Sequence, residues 1–128
     1  MAAQFSQHYT LDEARALLPR VRQWLDRLQE ISRELDKAGR VLAQLRGEGG
    51  DLGGPTVNRQ LRALVDFRAV VLEFKSRDIQ IKDLDRGLLD FPALIGGREV
   101  FLCWEQGEED IEFWHDLESG YAGRERLE

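Results

Sequence analysis

The residues best suited to chemistry sit close together near the C-terminus. Between Leu102 and Arg124 the chain carries Cys103, Trp104, Glu108, Trp114, His115 and Arg124, and Asp90 lies a short way upstream. Thiol, imidazole and carboxylate are the donors of a zinc or iron centre, so Cys103, His115 and Asp90 or Glu108 form a candidate three-ligand metal site. His115 with Asp90 or Glu108 as its orienting carboxylate is also a candidate catalytic acid–base. Arg124, behind Gly120 and Gly123, is a candidate anion clamp, and Trp104 and Trp114 are candidate ligand-binding surfaces. Each has a plainer use. Cys103 suits a small buried thiol, and His115 an imidazole at the core edge donating to a backbone carbonyl. The tryptophans suit cross-strand packing. Asp90, Glu108 or Asp116 offers Arg124 an internal partner, which the acidic surroundings favour over an external anion.

Whether Cys103 and His115 converge depends on strand register. A two-residue turn at Gly107-Glu108 pairs Trp104 with Ile111, Leu102 with Phe113 and Val100 with His115. One face then holds Val100, Leu102, Trp104, Ile111, Phe113 and His115, and the other holds Phe101, Cys103, Glu105, Glu112, Trp114 and Asp116. A turn one residue longer pairs Cys103 with Phe113 and Phe101 with His115, which makes Cys103 and His115 diagonal neighbours on one face. The first register separates apolar from polar residues better and is the one expected. It points Cys103 and His115 apart, so no metal or other cofactor is expected.

Other motifs fail on their own terms. The glycine-rich Gly47–Gly54 segment lacks the Gly-Lys-Ser/Thr ending of a phosphate loop and follows no strand. Asp83-Leu-Asp85-Arg-Gly87 resembles the opening of a calcium loop, but Leu88 stands where glycine is needed and Leu94 where the bidentate glutamate belongs. None of Ser6, Ser32, Ser76 and Ser119 sits in a nucleophile elbow.

The elements that position these residues follow from periodicity. Thr10-Leu-Asp-Glu13 has the form of a capping box. After it Ala14, Leu17, Val21, Trp24, Leu28, Ile31, Leu35, Ala38, Leu42 and Leu45 recur at steps of three and four, a heptad-like coiled-coil stripe widened by Leu18 and Leu25. This predicts helix one over 10–46, bent near Pro19. A glycine-rich turn spans 47–55, and helix two spans 56–77 with an apolar face broad enough for more than one neighbour. From Asp78 the period changes to two. Ile79 and Ile81, a short Leu89–Phe91 strand closed by Pro92, Val100 to Trp104, and Ile111 with Phe113 form a β-meander over 78–118, turning at Gly96-Gly97. A polar tail, 119–128, lies over the sheet. The expected fold is α+β, a long antiparallel helical hairpin followed by a small antiparallel β-meander, in a single domain over 1–128.

At 128 residues, 42% hydrophobic and 33% charged, the chain can bury a core without disulfides or metals. Cys103 is its one cysteine, no apolar stretch reaches membrane-span length, and Met1 to Thr10 lacks a secretory pattern, so a cytoplasmic location is expected. The net charge of −6 is unevenly spread, because residues 78–128 hold fourteen acidic and five basic side chains. An acidic half repels phosphate backbones, which argues against a nucleic-acid partner.

Three stretches carry a resemblance. TLDEARALLPRVR at Thr10–Arg22, GLLDFPA at Gly87–Ala93, and the spaced pattern from Leu102 to Arg124 resemble a family of small prokaryotic proteins catalogued as domain of unknown function 2203. Gly87, Asp90, Phe91, Cys103, Trp104, Gly107, Glu108, Trp114, His115 and Arg124 match its pattern. The resemblance implies no particular activity, substrate or cofactor.

The function expected from the sequence is an interaction module rather than an enzyme. Helix two is shorter than helix one by about fifteen residues, so it leaves the Thr10 end uncovered. The rest of the chain or a second subunit must cover it, and a homodimer or a protein partner is expected. The alternative is a small-ligand or catalytic domain built on His115, Asp90, Glu108 and Arg124.

Overall fold

Thr10 opens the first helix as a reciprocal cap. Its amide donates to Glu13 Oε1 at 2.9 Å, and the Glu13 amide donates to Thr10 Oγ1 at 3.1 Å. These bonds hold the Glu13 carboxyl below its usual pKa. The computed structural model describes residues 3–47 and 54–128, and its helix α1 runs Leu11–Gly47, about 55 Å at ~1.5 Å per residue. Pro19 lies inside it on the exposed side. Helix α2 runs Pro55–Lys75. Proline at its first position is favourable, because the amide it lacks would have no intrahelical acceptor. Most of the glycine-rich turn expected over 47–55 lies outside the described residues.

The buried face of α1 is Ala14, Leu18, Val21, Leu25, Leu28 and Ile31. Leu18 and Leu25, marginal in the sequence pattern, are at its centre. Leu17 and Trp24 lie to one side because α1 has two neighbours. The sheet takes the Leu18–Leu25 face, while α2 reaches Trp24, whose ring meets Phe74 edge-on at 5.8 Å. The sheet therefore covers the Thr10 end, the first of the two possibilities left by the length mismatch. Among the described residues nothing in α1 beyond Ile31 is buried.

Helix α2 ends two residues earlier than expected. Asp78 takes a left-handed conformation (φ 59°), which turns the chain into the sheet. Its carboxylate accepts from Ser6 Oγ and the Gln7 amide, both at 3.0 Å.

Five antiparallel strands follow in sequence order: β1 Gln80–Asp83, β2 Leu88–Ile95, β3 Arg98–Glu105, β4 Phe113–Asp116 and β5 Glu125–Arg126. Gly96 and Gly97, at φ 59° and 77°, close β2 and β3 with a two-residue turn whose twist matches the strands. Three expectations need correction. Pro92 does not close its strand. Its carbonyl accepts from the Tyr9 amide at 2.7 Å, so its nitrogen faces a side where β1 has ended and no amide donor is needed. The last core strand begins at Phe113, with Ile111 buried in the loop before it. The tail over 119–128 contributes a 3₁₀ turn, Tyr121–Gly123, and strand β5.

The fourth correction concerns register. The structure pairs Phe101 with His115, Leu102 with Trp114 and Cys103 with Phe113, one residue off the expected pairing. The connection is not a tight turn at Gly107-Glu108. Arg15 donates to the Ile111 carbonyl at 2.8 Å, and Arg22 donates to the Glu109 carbonyl at 2.6 Å, so α1 holds a longer loop against itself. Trp104 Nε1 donates to the Glu108 carbonyl at 3.0 Å from within the core.

The expected register assumed a polar face on the sheet, but both faces of β2 and β3 are buried. Leu89, Phe91, Ala93, Val100, Leu102 and Trp104 pack on α1. On the other side Leu88, Asp90, Pro92, Phe101, Cys103 and His115 lie under the two chain ends. Phe5 packs on Phe101 at 5.4 Å, and the tail covers Cys103. No helix among the described residues is long and apolar enough to cross a membrane.

Candidate functional site

Asp90 is the partner of Cys103 across β2 and β3, and His115 is the partner of Phe101 across β3 and β4. Asp90 and His115 thus reach towards each other over β3, beside the small Cys103 side chain. His115 Nε2 lies 3.0 Å from both Asp90 carboxylate oxygens. Its Nδ1 lies 2.6 Å from the Asp116 carbonyl. A carbonyl only accepts, so Nδ1 carries a proton, and a second proton lies between Nε2 and Asp90. Asp90, Cys103 and His115 are 1%, 0% and 2% exposed. His115 also rests against the Phe101 ring at 5.5 Å.

Burial raises the Asp90 carboxyl pKa, and the charge of His115 and its hydrogen bond oppose the shift. Burial, reinforced by the Asp90 charge, pushes the Cys103 thiol up to about 12. Cys103 is therefore a thiol at neutral pH, a poor nucleophile while no cation ionises it.

The other candidates form a neighbouring clamp. Arg124 holds Glu108 with two parallel bonds, Nη1–Oε1 at 3.1 Å and Nη2–Oε2 at 2.7 Å. Its guanidinium lies between the rings of Phe113 and Tyr121, 3.8 and 4.3 Å from their centroids, with Nη1 4.0 Å from Cys103 Sγ. Glu108 Oε1 also accepts from the Glu105 amide at 2.7 Å. Glu108 is thus occupied by Arg124 and turned from the histidine, and Arg124 has the internal partner that the acidic surroundings favoured. Trp104 is in the core against α1, and Trp114 is partly buried at the core margin beneath Arg98. The structure brings Asp90, Cys103 and His115 together, sets Glu108 and Arg124 beside them as a closed pair, and leaves the tryptophans outside.

Sequence reasoning gave no site role to Phe101, which meets the His115 ring, or to Phe113 and Tyr121, which flank the Arg124 guanidinium. A signal was present for the first. Val100 to Trp104 is an unbroken apolar run, the pattern of a strand buried on both faces.

A family model described as "Uncharacterized conserved protein (DUF2203)" matches residues 7–127. The chain belongs to the DUF2203 family. No curated protein and no solved structure was found to match it. For this DUF2203 chain the matched span takes in both helices, the buried cluster and the Arg124 clamp.

Proposed function

We propose that this DUF2203 protein is a non-enzymatic, cytosolic interaction module that pairs with a second copy of itself through its helical hairpin. One observation carries the reading: Leu61, Leu64, Val65 and Leu72, at 56%, 49%, 68% and 51% exposure, share one side of α2. At ~3.6 residues per turn they fall within about 100° of arc, opposite Ala63 and Phe74, which face the rest of the chain. An exposed apolar stripe of this length is a surface built to be covered.

Charge supports a second copy as the cover. The distal parts of the helices, residues 33–47 and 55–68, hold seven basic and three acidic side chains, against five and fourteen in residues 78–128. An antiparallel two-fold pairing of α2 sets the basic arm of one copy beside the acidic sheet end of the other. It also opposes Leu61 to the partner copy's Leu72 and the reverse, as a two-fold contact requires. A groove of about 420 Å³ between the helices, floored by Ala38, Val41 and Ala63, runs along the same arm. The paired hairpins form a short coiled-coil-like bundle. The single buried cysteine suits a reducing cytosol.

Light scattering at micromolar concentration tests this reading. A dimer is expected for the wild type and a folded monomer for Leu61→Glu/Leu72→Glu. A wild-type monomer overturns it.

A further inference from the structure

We propose that Asp90, Cys103 and His115 form a metal site for a zinc-class divalent cation, built into the covered face of the sheet. The proposal is independent of the hairpin and rests on four observations.

The first is the donor set. Thiolate, imidazole and carboxylate together select a borderline cation such as Zn²⁺ over Mg²⁺ or Ca²⁺, which take oxygen ligands. The second is convergence. One donor atom from each residue lies within 4.8 Å of the other two, and Nε2 is 3.0 Å from both Asp90 oxygens. With ligand bonds of about 2.0–2.3 Å, tetrahedral donors stand roughly 3.3–3.8 Å apart, so adjustments of at most about 1.5 Å seat the ion. Asp90 binding through both oxygens would bring the donors to four without a water, as in a closed structural site.

The third observation is the histidine's orientation. Nδ1 is committed to the Asp116 carbonyl, which fixes the tautomer and ring plane and aims Nε2 at the cluster. Metal-binding histidines are oriented in this way, by a carbonyl or carboxylate on the far nitrogen. The fourth is rigidity and charge. The ligands stand on three adjacent strands, β2, β3 and β4, and not on loops. A dication replaces the thiol proton and the proton between Nε2 and Asp90, so Asp90 and the Cys103 thiolate balance it beside a neutral imidazole. Arg124, the nearest guanidinium to Cys103, is already neutralised by Glu108. With both chain ends laid over the site, the ion fastens β2, β3 and β4 together and is not presented to a substrate.

Without an ion the same three side chains form a closed hydrogen-bonded network, and titration of metal-free protein with Co²⁺ separates the two readings. Untagged protein is stripped with chelator, and its fold is checked by circular dichroism before one-equivalent additions. The expected result is a thiolate-to-cobalt charge-transfer band saturating at one equivalent, displaced by Zn²⁺, with Tm raised by either ion. Cys103→Ser, Asp90→Asn and His115→Gln should each weaken Co²⁺ binding at least tenfold, while Glu108→Gln retains it. Variants that do not fold leave the wild-type spectrum to decide. Folded wild type that shows no charge-transfer band with excess Co²⁺ overturns the proposal, as does a band unchanged in folded Cys103→Ser.

Discussion

His115 and Asp90 stand on strands either side of β3 and meet above it, with one imidazole nitrogen equidistant from both carboxylate oxygens at 3.0 Å. The pair is almost fully buried, so its two halves depend on each other. In metal-free protein, His115→Leu alone should destabilise by about 3–5 kcal/mol, because it strands a buried carboxylate. Asp90→Leu/His115→Leu should cost less than either single change, since an apolar pair leaves nothing unpaired. Urea denaturation of the three variants measures this, and strictly additive single effects would contradict it.

Cys103 makes stability fall with alkaline pH. In the folded chain its thiol pKa is about 12 against an ordinary 9.0, so between those values the unfolded chain has released a proton that the folded chain still holds. Stability therefore drops as pH rises, by about 1.4 kcal/mol per pH unit for this one group. Tyr9, raised to about 12 from 10.0, adds a parallel loss above pH 10. Cys103→Ala should flatten the slope between pH 9 and 10, as read by denaturation of metal-free protein at half-unit steps.

Arg124 lies against that thiol, its Nη1 4.0 Å from Sγ, and Tyr121 stacks on its guanidinium. Removing the guanidinium in Arg124→Ala breaks the paired bonds to Glu108 and the stacking on Phe113. Thiol-reagent labelling of Cys103 in native buffer should accelerate at least tenfold. Arg124→Lys should restore little of the protection, because an ammonium supplies neither the fork nor the flat face.

Gly87 is required for two reasons at once. It adopts φ 67°, and a Cβ there would lie 2.5 Å from the Gln106 Cβ. Gly87→Ala should cost about 2 kcal/mol or more through strain and collision together. An unchanged urea midpoint would show that the turn before β2 yields freely.

The two apolar surfaces of the helices should answer differently to truncation. Leu25, fully buried between α1 and the sheet, should cost about 2–5 kcal/mol as Leu25→Ala. Val65→Ser, at an exposed position, should change monomer stability by no more than about 0.5 kcal/mol. If α2 pairs with a second copy, that same change weakens the dimer, so sedimentation will register it where denaturation of the monomer does not.

Features whose signal is local were legible in the sequence. The Thr10–Glu13 cap needs four residues, the Gly96-Gly97 turn needs two, and the period change at Asp78 marks, to within two residues, where helices give way to strands. The site depended on one register between β3 and β4, and local pattern alone chose it wrongly. Separating apolar from polar residues assumes that one face of a sheet meets water, and here the chain ends cover that face. The loop that shifts the register is held by Arg15 and Arg22, 96 and 87 residues away. Nothing within 100–115 carries that information except the five-residue apolar run of β3.

Every strand in this sheet pairs with its neighbour in the chain, and the helices form a hairpin of their own. Each half can therefore assemble from short-range encounters, with little chain entropy lost to loop closure. Among the described residues two steps join distant parts: α1 lying down on the sheet, and residues 4–9 reaching Glu99, Asp78 and Pro92. Refolding should then be limited by how fast two preformed halves meet productively along the face of α1 that packs on the sheet.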